Sequence, residues 1–299
     1  MRRSYPILLL TTIFIVSYAC GEDKSSIDIT IANQYEQDTT QVQVPNPVLR
    51  GDSTFNILFK ENPIEVIVKM PTEAFIGTII VLPGWNFPNT GWCDSTELCT
   101  EALARGYVLI LPQMGKSIYC DHIYPQTRSS WLSYPTRSWM KDEMIPFIQD
   151  NFALLLTEQP NFTLGLSTGA RGATLLALDM PELFDGCAAL SGDFDQSAFP
   201  KDNLYIGYYG QMSQFKDRWT VDDNIITAID KLEVPMYVGH GTKDKVVDIQ
   251  HSNLFVKAME IAGKEYEYHI DDTAGHTYSY WNSEVGAMLD YFGSLDKKD

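Results

Sequence analysis

Three residues of this sequence have the types and the order that acyl-transfer chemistry needs. Ser167 lies in the stretch GLSTGARGA, inside a G-x-S-x-G pentapeptide. Asp244 follows later in HGTKDKVV, and His276 comes after it in AGHTYSYW. A histidine of near-neutral pKa can take a serine proton, and an aspartate can hold the imidazole in the useful tautomer. We therefore predict Ser167 as the nucleophile, His276 as its base and Asp244 as the acid that orients the base.

The G-x-S-x-G pentapeptide is by itself a weak indication of a catalytic serine, and the elements around Ser167 strengthen it. NFTLGLS is typical of a strand, and it runs directly into TGARGATLLALDMP, which has helix composition and stops before Pro181. Ser167 is therefore expected on a sharp strand-to-helix turn, with Gly165 and Gly169 leaving room for the backbone. A purely structural Ser-Gly turn fits the local pattern equally well. The choice between a catalytic and a structural Ser167 therefore depends on whether the chain also supplies an acid and a base.

Strands and helices alternate along most of the chain. The predicted strands are apolar runs, namely PIEVIVKMP, GTIIVLPG, YVLILPQ, NFTLGLS, GCAALSG, VPMYVGHG and KEYEYHID. The predicted helices are STELCTEALARG, SWMKDEMIPFIQDNF, the segment after Ser167, IQHSNLFVKAMEIAG and SYWNSEVGAMLDYFGSL. This alternation predicts an α/β fold, with a mostly parallel sheet covered by helices on both faces. The predicted acid and base each follow a later strand, where such a fold presents them.

Three further aspartates compete for the role of the acid. Asp193 and Asp195 follow the strand before that of Asp244, and Asp248 is a close neighbour in sequence. Position in the fold favours Asp244.

Four further histidines compete with His276. His122 precedes the serine, which is the wrong chain order. We interpret His240 as a residue that shapes a turn, His251 as a surface residue of a helix, and His269 as a structural residue of a strand. His276 is the one that follows the last strand.

Two backbone N–H groups are expected to form an oxyanion hole. One belongs to Thr168, the residue after the serine, and the other to Trp85 in the loop VLPGWNFPNTGW. Gly84 lets that loop turn. The alternative is that Trp85 is only a wall of the pocket.

Several of these motifs resemble one known family. GLSTGARGATLLALDMPELFDG, HGTKDKVV and GHTYSYW are similar to the esterase D group of α/β-hydrolases, which includes S-formylglutathione hydrolases and the feruloyl and acetyl-xylan esterases of carbohydrate esterase family 1. The resemblance implies an α/β-hydrolase fold and hydrolysis of carboxylic esters through an acyl-serine intermediate, without a cofactor. The family's nucleophile, acid and base match Ser167, Asp244 and His276. The chain departs from the family at Pro83, where a histidine is usual, and at Arg171, where a second glycine is common.

The expected substrate is an ester of a small molecule or a glycan. The glutathione thioester of the S-formylglutathione hydrolases is a cytosolic substrate, and the N-terminus described below predicts that this chain is exported. Aromatic side chains that could stack on a feruloyl group or on sugar rings are Trp85, Trp92, Tyr119, Tyr124, Trp131, Tyr208, Tyr209 and Trp219. Lid packing is an equally good interpretation of them. Two other functions stay open: a serine peptidase of the prolyl-oligopeptidase type, and a surface binding protein that keeps the fold without catalysis.

Charge and composition exclude other classes of function. The chain of 299 residues has a net charge of −17, and an acidic surface repels phosphate backbones, so no nucleic-acid partner is expected. The cysteines and histidines lack metal-ligand spacing, so no metal site is predicted.

The N-terminus is predicted to be an export signal. Two arginines, an apolar run from Ile7 to Val16 and the sequence SYAC resemble a lipoprotein signal, cleaved before a lipidated Cys20. Ordinary signal cleavage is the alternative. We thus divide the chain into a signal peptide (1–19), a polar tether (20–50) and a catalytic domain (51–299), anchored by its lipid to the outer membrane or the cell surface, the periplasmic side included.

The remaining cysteines suit an oxidising compartment. Cys93, Cys99 and Cys120 follow two successive predicted strands whose loops can meet, which leaves their pairing open. Cys187 lies in an apolar run and is expected to be a buried free thiol.

Overall fold

The computed structural model describes residues 51–72, 76–131 and 134–295. The predicted signal peptide (1–19), Cys20 and the polar tether (20–50) lie outside the described residues. Within the described part, no helix is both long and apolar enough to cross a membrane. The same residues contain no cluster of metal-ligating side chains.

One sheet of eight strands organises the described residues. In chain order the strands are β1 (Ser53–Phe59), β2 (Asn62–Lys69), β3 (Gly77–Leu82), β4 (Tyr107–Pro112), β5 (Asn161–Leu166), β6 (Gly186–Leu190), β7 (Met236–Gly241) and β8 (Tyr266–Asp271). Their spatial order is β1-β2-β4-β3-β5-β6-β7-β8. Strands β3 to β8 pair in parallel, whereas β1 and β2 are antiparallel. The predicted α/β fold with a mostly parallel sheet is confirmed, and β1 is an addition that the sequence patterns did not indicate.

Helices cover both faces of the sheet. They are α1 (Gly91–Ser95), α2 (Leu98–Ala104), α3 (Thr136–Trp139), α4 (Ile145–Phe152), α5 (Thr168–Asp179), α6 (Asn203–Tyr209), α7 (Lys216–Thr220), α8 (Gln250–Ile261) and α9 (Tyr278–Leu295). The alternating side chains of β3 show why both faces are covered. Ile80 and Leu82 join one apolar cluster with residues of α5 and α8, and Ile79 and Val81 join another with residues of α2 and α9.

The predicted helix SWMKDEMIPFIQDNF forms with a wide turn inside it. A π-helical turn, Met140–Met144, joins α3 to α4, and the N–H of Ile145 bonds to the carbonyl of Met140. Pro146 follows directly, and it has no N–H to donate to the preceding turn. Widening the helix before a proline accommodates that missing bond.

The structure decides the pairing of the cysteines. Cys93 and Cys99 form a disulfide that links α1 to α2. Cys120 and Cys187 are free and buried, as expected for Cys187. Burial raises the pKa of both thiols to about 12, so neither is a ready nucleophile.

The interpretation of His251 as a surface residue was wrong. His251 is buried on α8, its ring stacks on Phe199, and its Nδ1 accepts a hydrogen bond from the backbone of Asp195. Burial lowers the pKa of this imidazole to about 3, so the ring is neutral. A periodic pattern locates a helix, but it does not show that the 192–199 segment covers this part of α8.

Candidate active site

Ser167 lies on a strained turn between β5 and α5. Its backbone has φ 55° and ψ −128°, a region that residues other than glycine rarely adopt. The turn is held because the N–H of Ser167 bonds to the carbonyl of Leu190 at 2.9 Å. A Cβ on Gly165 would meet the carbonyl of Gly169, and a Cβ on Gly169 would meet that of Leu82, so both glycines are required by close approach. The predicted strand-turn-helix geometry is present.

Asp244 and His276 form a directly bonded pair. Asp244 follows β7, His276 lies between β8 and α9, and their Oδ2 and Nδ1 atoms are 2.7 Å apart. The other carboxylate oxygen of Asp244 accepts the backbone N–H groups of Val246 at 2.8 Å and Val247 at 2.9 Å. These bonds fix the carboxylate and leave Oδ2 to orient the imidazole, the arrangement a catalytic acid and base require.

A second histidine, His240, also faces Asp244. Its Nε2 lies 3.4 Å from Asp244 Oδ2 and 3.1 Å from the carbonyl of Val247, and its Nδ1 lies 2.7 Å from Ser252 Oγ. A carbonyl only accepts, so Nε2 of a neutral ring carries the proton and Nδ1 accepts from the serine hydroxyl. Burial alone would raise the pKa of Asp244, but hydrogen bonds from His240 and His276 outweigh it and hold that pKa well below the usual carboxyl value.

Ser167 and His276 lie at the same edge of the sheet. The His276 ring packs edge-on against Trp281 with centroids 5.0 Å apart, and Trp281 lies 6.4 Å from the ring of Phe87. An ideal Cβ on Gly84 would lie 3.3 Å from both Phe87 and the Cβ of Ser167. No hydrogen bond joins Ser167 Oγ to His276 within the described ranges. Such bonds are often long before substrate binds.

The loop after β3 and the start of α5 each place one free backbone N–H group near Ser167. The amides of Asn86 and Phe87 are used, since they bond to the carbonyls of Gly115 and Gly84, and the amide of Trp85 has no partner among the described residues. Thr168 is the first residue of α5, where a helix leaves its N–H groups free. The two predicted oxyanion donors are therefore available for a ligand.

Tyr119 braces the same loop, a role that the sequence did not indicate. Its hydroxyl donates to the carbonyl of Pro83 at 2.7 Å, and its ring lies against Gly172 of α5. The side chain is completely buried. It therefore links the loop of Trp85 to the helix that follows Ser167.

The other candidate acids are engaged elsewhere. Asp193 is buried and accepts from the hydroxyl of Tyr205 at 2.6 Å. Asp195 caps the turn at Ser197, with a bond of 2.9 Å to its N–H. Asp248 accepts from the backbone of Gln250. None of these carboxylates has a hydrogen bond to His276 among the bonds of the described residues.

The other candidate bases lie in surroundings that do not suit a catalytic base. His269 stacks on Tyr237 within the sheet, and His122 is exposed in the loop after β4. Together with the buried His240 and His251, they leave His276 as the histidine that combines partial exposure with the bond to Asp244.

Arg171 lies one helical turn after Ser167 and is completely buried. Its guanidinium donates to five acceptors that belong to the loops after β4 and β6, to α6 and to the segment after α7, namely Ile118 O, Asp193 O, Gln196 Oε1, Tyr209 Oη and Asp223 O. Arg171, a departure from the resembled family, thus ties these segments to the helix that follows Ser167.

The candidate aromatic residues divide by exposure. Buried members are Trp92, Tyr119, Tyr208, Tyr209 and Trp219, which makes them packing residues. Partly exposed members are Trp85, Tyr124 and Trp131. Contacts with a substrate therefore fall to a small part of the set predicted from sequence.

Comparisons with known proteins agree with this architecture. The model of the Esterase family matches residues 71–292. An acetyl esterase of Caldicellulosiruptor saccharolyticus is 22% identical over 270 residues, which cover 85% of this chain and 98% of the relative.

Two solved structures share the fold. The S-formylglutathione hydrolase of Agrobacterium tumefaciens aligns with a TM-score of 0.68 and 16% identity, over 82% of this chain and 95% of its own. A ferulic acid esterase aligns with a TM-score of 0.61 and 18% identity, over 82% of this chain and 99% of its own. The fold is that of the α/β-hydrolases, and the chain belongs to the Esterase family.

Proposed function

We propose that the chain hydrolyses carboxylic esters through an acyl-serine intermediate formed on Ser167. The hydrogen bond of 2.7 Å between Asp244 and His276, at the sheet edge where Ser167 is held in its strained turn, carries this proposal. Membership of the Esterase family supports the same reaction. Because nucleophile, acid and base are all present, the site favours an enzyme over the binding protein considered from sequence.

In the first half-reaction Ser167 Oγ attacks the ester carbonyl carbon while its proton passes to His276 Nε2. The carbonyl oxygen becomes an oxyanion, which the N–H groups of Trp85 and Thr168 stabilise. The bond from carbon to the alcohol oxygen then breaks, and the alcohol leaves with the proton from His276. The acyl group remains on the serine.

In the second half-reaction water replaces the alcohol. His276 takes a proton from the water as its oxygen attacks the acyl carbon, and the same two N–H groups stabilise the second oxyanion. The bond from Ser167 Oγ to carbon breaks, Oγ regains a proton from His276, and the carboxylic acid leaves. Asp244 stays ionised throughout and stabilises the imidazolium formed in each half.

We further propose that the ester is an acyl group, acetyl or feruloyl, on a polysaccharide. Relatives described as an acetyl esterase and a ferulic acid esterase support this substrate class. The partly exposed rings of Trp85 and Trp131, which contact each other with centroids 4.6 Å apart, offer apolar surface for a sugar or an aromatic acyl group.

Export with a lipid anchor at Cys20 is also part of the proposal. It rests on the sequence MRRSYPILLLTTIFIVSYAC and on the cysteine pair Cys93–Cys99, since disulfides persist in oxidising compartments.

Replacing the nucleophile tests the proposed reaction. Purified protein is expected to hydrolyse p-nitrophenyl acetate, and Ser167→Ala is expected to lower kcat at least about 10³-fold, because no other group can form the acyl intermediate. Release of p-nitrophenol measures the rate, and circular dichroism checks the fold. Ser283→Ala, an exposed serine of α9, serves as the matched control. Undiminished turnover by Ser167→Ala would refute the proposal.

Replacing His240 tests its influence on Asp244. His240→Phe keeps a ring of similar size but removes a donor to the carboxylate, and loss of such a bond is expected to lower kcat about tenfold. KM should change little, because His240 is completely buried and does not face a substrate. His240→Gln, which can still donate, is expected to keep more activity. Equal kcat values for wild type and His240→Phe would show that Asp244 is oriented without this histidine.

Acylated glycans test the substrate class. We expect release of acetate or ferulate from acylated polysaccharides to exceed hydrolysis of peptides and of lipid esters of equal concentration. Liquid chromatography of the released acids and peptides measures each rate. Faster cleavage of peptides would instead support the prolyl-oligopeptidase-type hypothesis.

Labelling with a radioactive fatty acid tests the anchor. Cells expressing the full chain are expected to incorporate the label, and Cys20→Ser is expected to abolish incorporation because the thiol that carries the lipid is gone. Cys120→Ser, a buried cysteine, is the control. An unlabelled wild-type protein would favour ordinary signal cleavage.

A further inference from the structure

An arginine, Arg128, lies against an aromatic wall formed by the rings of Trp85 and Trp131, and Trp85 belongs to the loop that approaches the candidate nucleophile. Trp85 directly follows Gly84, whose ideal Cβ would lie 3.3 Å from Ser167 Cβ. The ring of Trp85 meets Trp131 edge-on, and the guanidinium of Arg128 lies over Trp131 at 5.1 Å from its centroid. Arg128 is exposed, whereas both tryptophans are partly exposed. The loop that approaches the serine is therefore connected through two indole rings to a cation.

The segment that carries Arg128 is fastened to α6. The backbone N–H of Arg128 bonds to the carbonyl of Gly207 at 2.9 Å, and Thr127 Oγ1 donates to the carbonyl of Tyr208 at 2.8 Å. A Cβ on Gly207 would meet the Trp131 ring and would lie 2.8 Å from Arg128 Nε, so the arginine side chain passes close to the backbone of α6. These contacts fix the backbone that carries the guanidinium before any ligand arrives, which lowers the entropic cost of binding.

Arg128 has no carboxylate partner among the described residues, unlike Arg105 and Arg137. Arg105 pairs with Asp290 at 2.6 Å, and Arg137 pairs with Asp223 at 2.8 Å. The chain has 39 acidic residues and 22 basic ones. In such an acidic protein, an arginine without a carboxylate partner is unusual. A net negative protein repels anionic ligands at long range, and a local cation offsets this repulsion.

We propose that Arg128 and Trp131 form a subsite for a carboxylate group of the ester substrate. Guanidinium groups bind carboxylates with two parallel hydrogen bonds, and the indole below supports the sugar or chain that carries the carboxylate. The inference deepens the proposed function and rests on it: the preferred substrates are carboxylate-bearing esters, with the acid on either the alcohol or the acyl part. An acylated glycan that contains uronic acid belongs to this class.

Two matched substrate pairs test the subsite with the full-length protein. The first compares an acetylated methyl glucuronide with the acetylated methyl glucoside, which places the charge on the alcohol part. The second compares mono-p-nitrophenyl succinate with p-nitrophenyl butyrate, which places it on the acyl part. In one of the two pairs we expect the charged ester to have the higher kcat/KM. In that pair Arg128→Gln is expected to lower the ratio of kcat/KM for the charged ester to kcat/KM for the neutral ester about tenfold, which corresponds to one hydrogen bond to a charged group.

Arg105→Gln is the control for overall charge. Arg105 lies before β4, at the edge of the sheet opposite Ser167, so its loss changes the net charge equally without touching the wall. We expect its ratios to match the wild type. Ratios that are the same for wild type and Arg128→Gln in both pairs would overturn the subsite while leaving the proposed ester hydrolysis intact.

Binding separates the subsite from turnover. Calorimetry with Ser167→Ala measures the affinity for each ester without hydrolysis. The charged member of one pair is expected to bind more tightly, and the double variant with Arg128→Gln is expected to lose that advantage. Equal affinities throughout would overturn the subsite, whereas absence of turnover by the wild type on every ester would contradict the proposed function alone.

Discussion

The strained turn at Ser167 is the constraint on which the arrangement of the site depends. A backbone in such a sparsely populated region costs about 1–3 kcal/mol, and it persists only where the surroundings determine it. Here β6 supplies the carbonyl of Leu190, and the close approach of Gly165 to Gly169 excludes any larger residue. The turn lies at the edge of the sheet where strands β3, β7 and β8 also end. The predicted nucleophile can face the predicted oxyanion donors, acid and base only while this turn is held.

The sequence predicted the parts of the molecule that follow from local order. Apolar runs alternating with helices predicted the mostly parallel sheet, because such strands need cover on both faces. The bond between Asp244 and His276 was anticipated from chain order, since the ends of later parallel strands lie at one edge. The roles of these residues in catalysis stay predictions until the serine and its partners are replaced.

Long-range contacts were beyond the reach of sequence patterns. His240 was interpreted as a turn residue, yet it faces Asp244 from the end of β7, because only the folded loop brings the carboxylate back over the strand. The burial of His251 was missed for the same reason, because the residue that covers its ring, Phe199, is distant in sequence. Strand β1 was missed because the polar residues Ser53, Thr54 and Asn56 interrupt its apolar ones, which leaves no clear apolar run. The choice of Cys99 as the partner of Cys93 depended on how α1 and α2 turn.

The anchoring of Arg171 has a consequence for how such a site can diversify. Three of its five acceptors are backbone carbonyls, those of Ile118, Asp193 and Asp223, and any amino acid offers that oxygen. Side chains in the surrounding segments can therefore change while the path of the chain stays fastened to the nucleophile helix. New specificities are open to mutation residue by residue, whereas transplanting a whole loop of different length would leave a buried guanidinium without its partners.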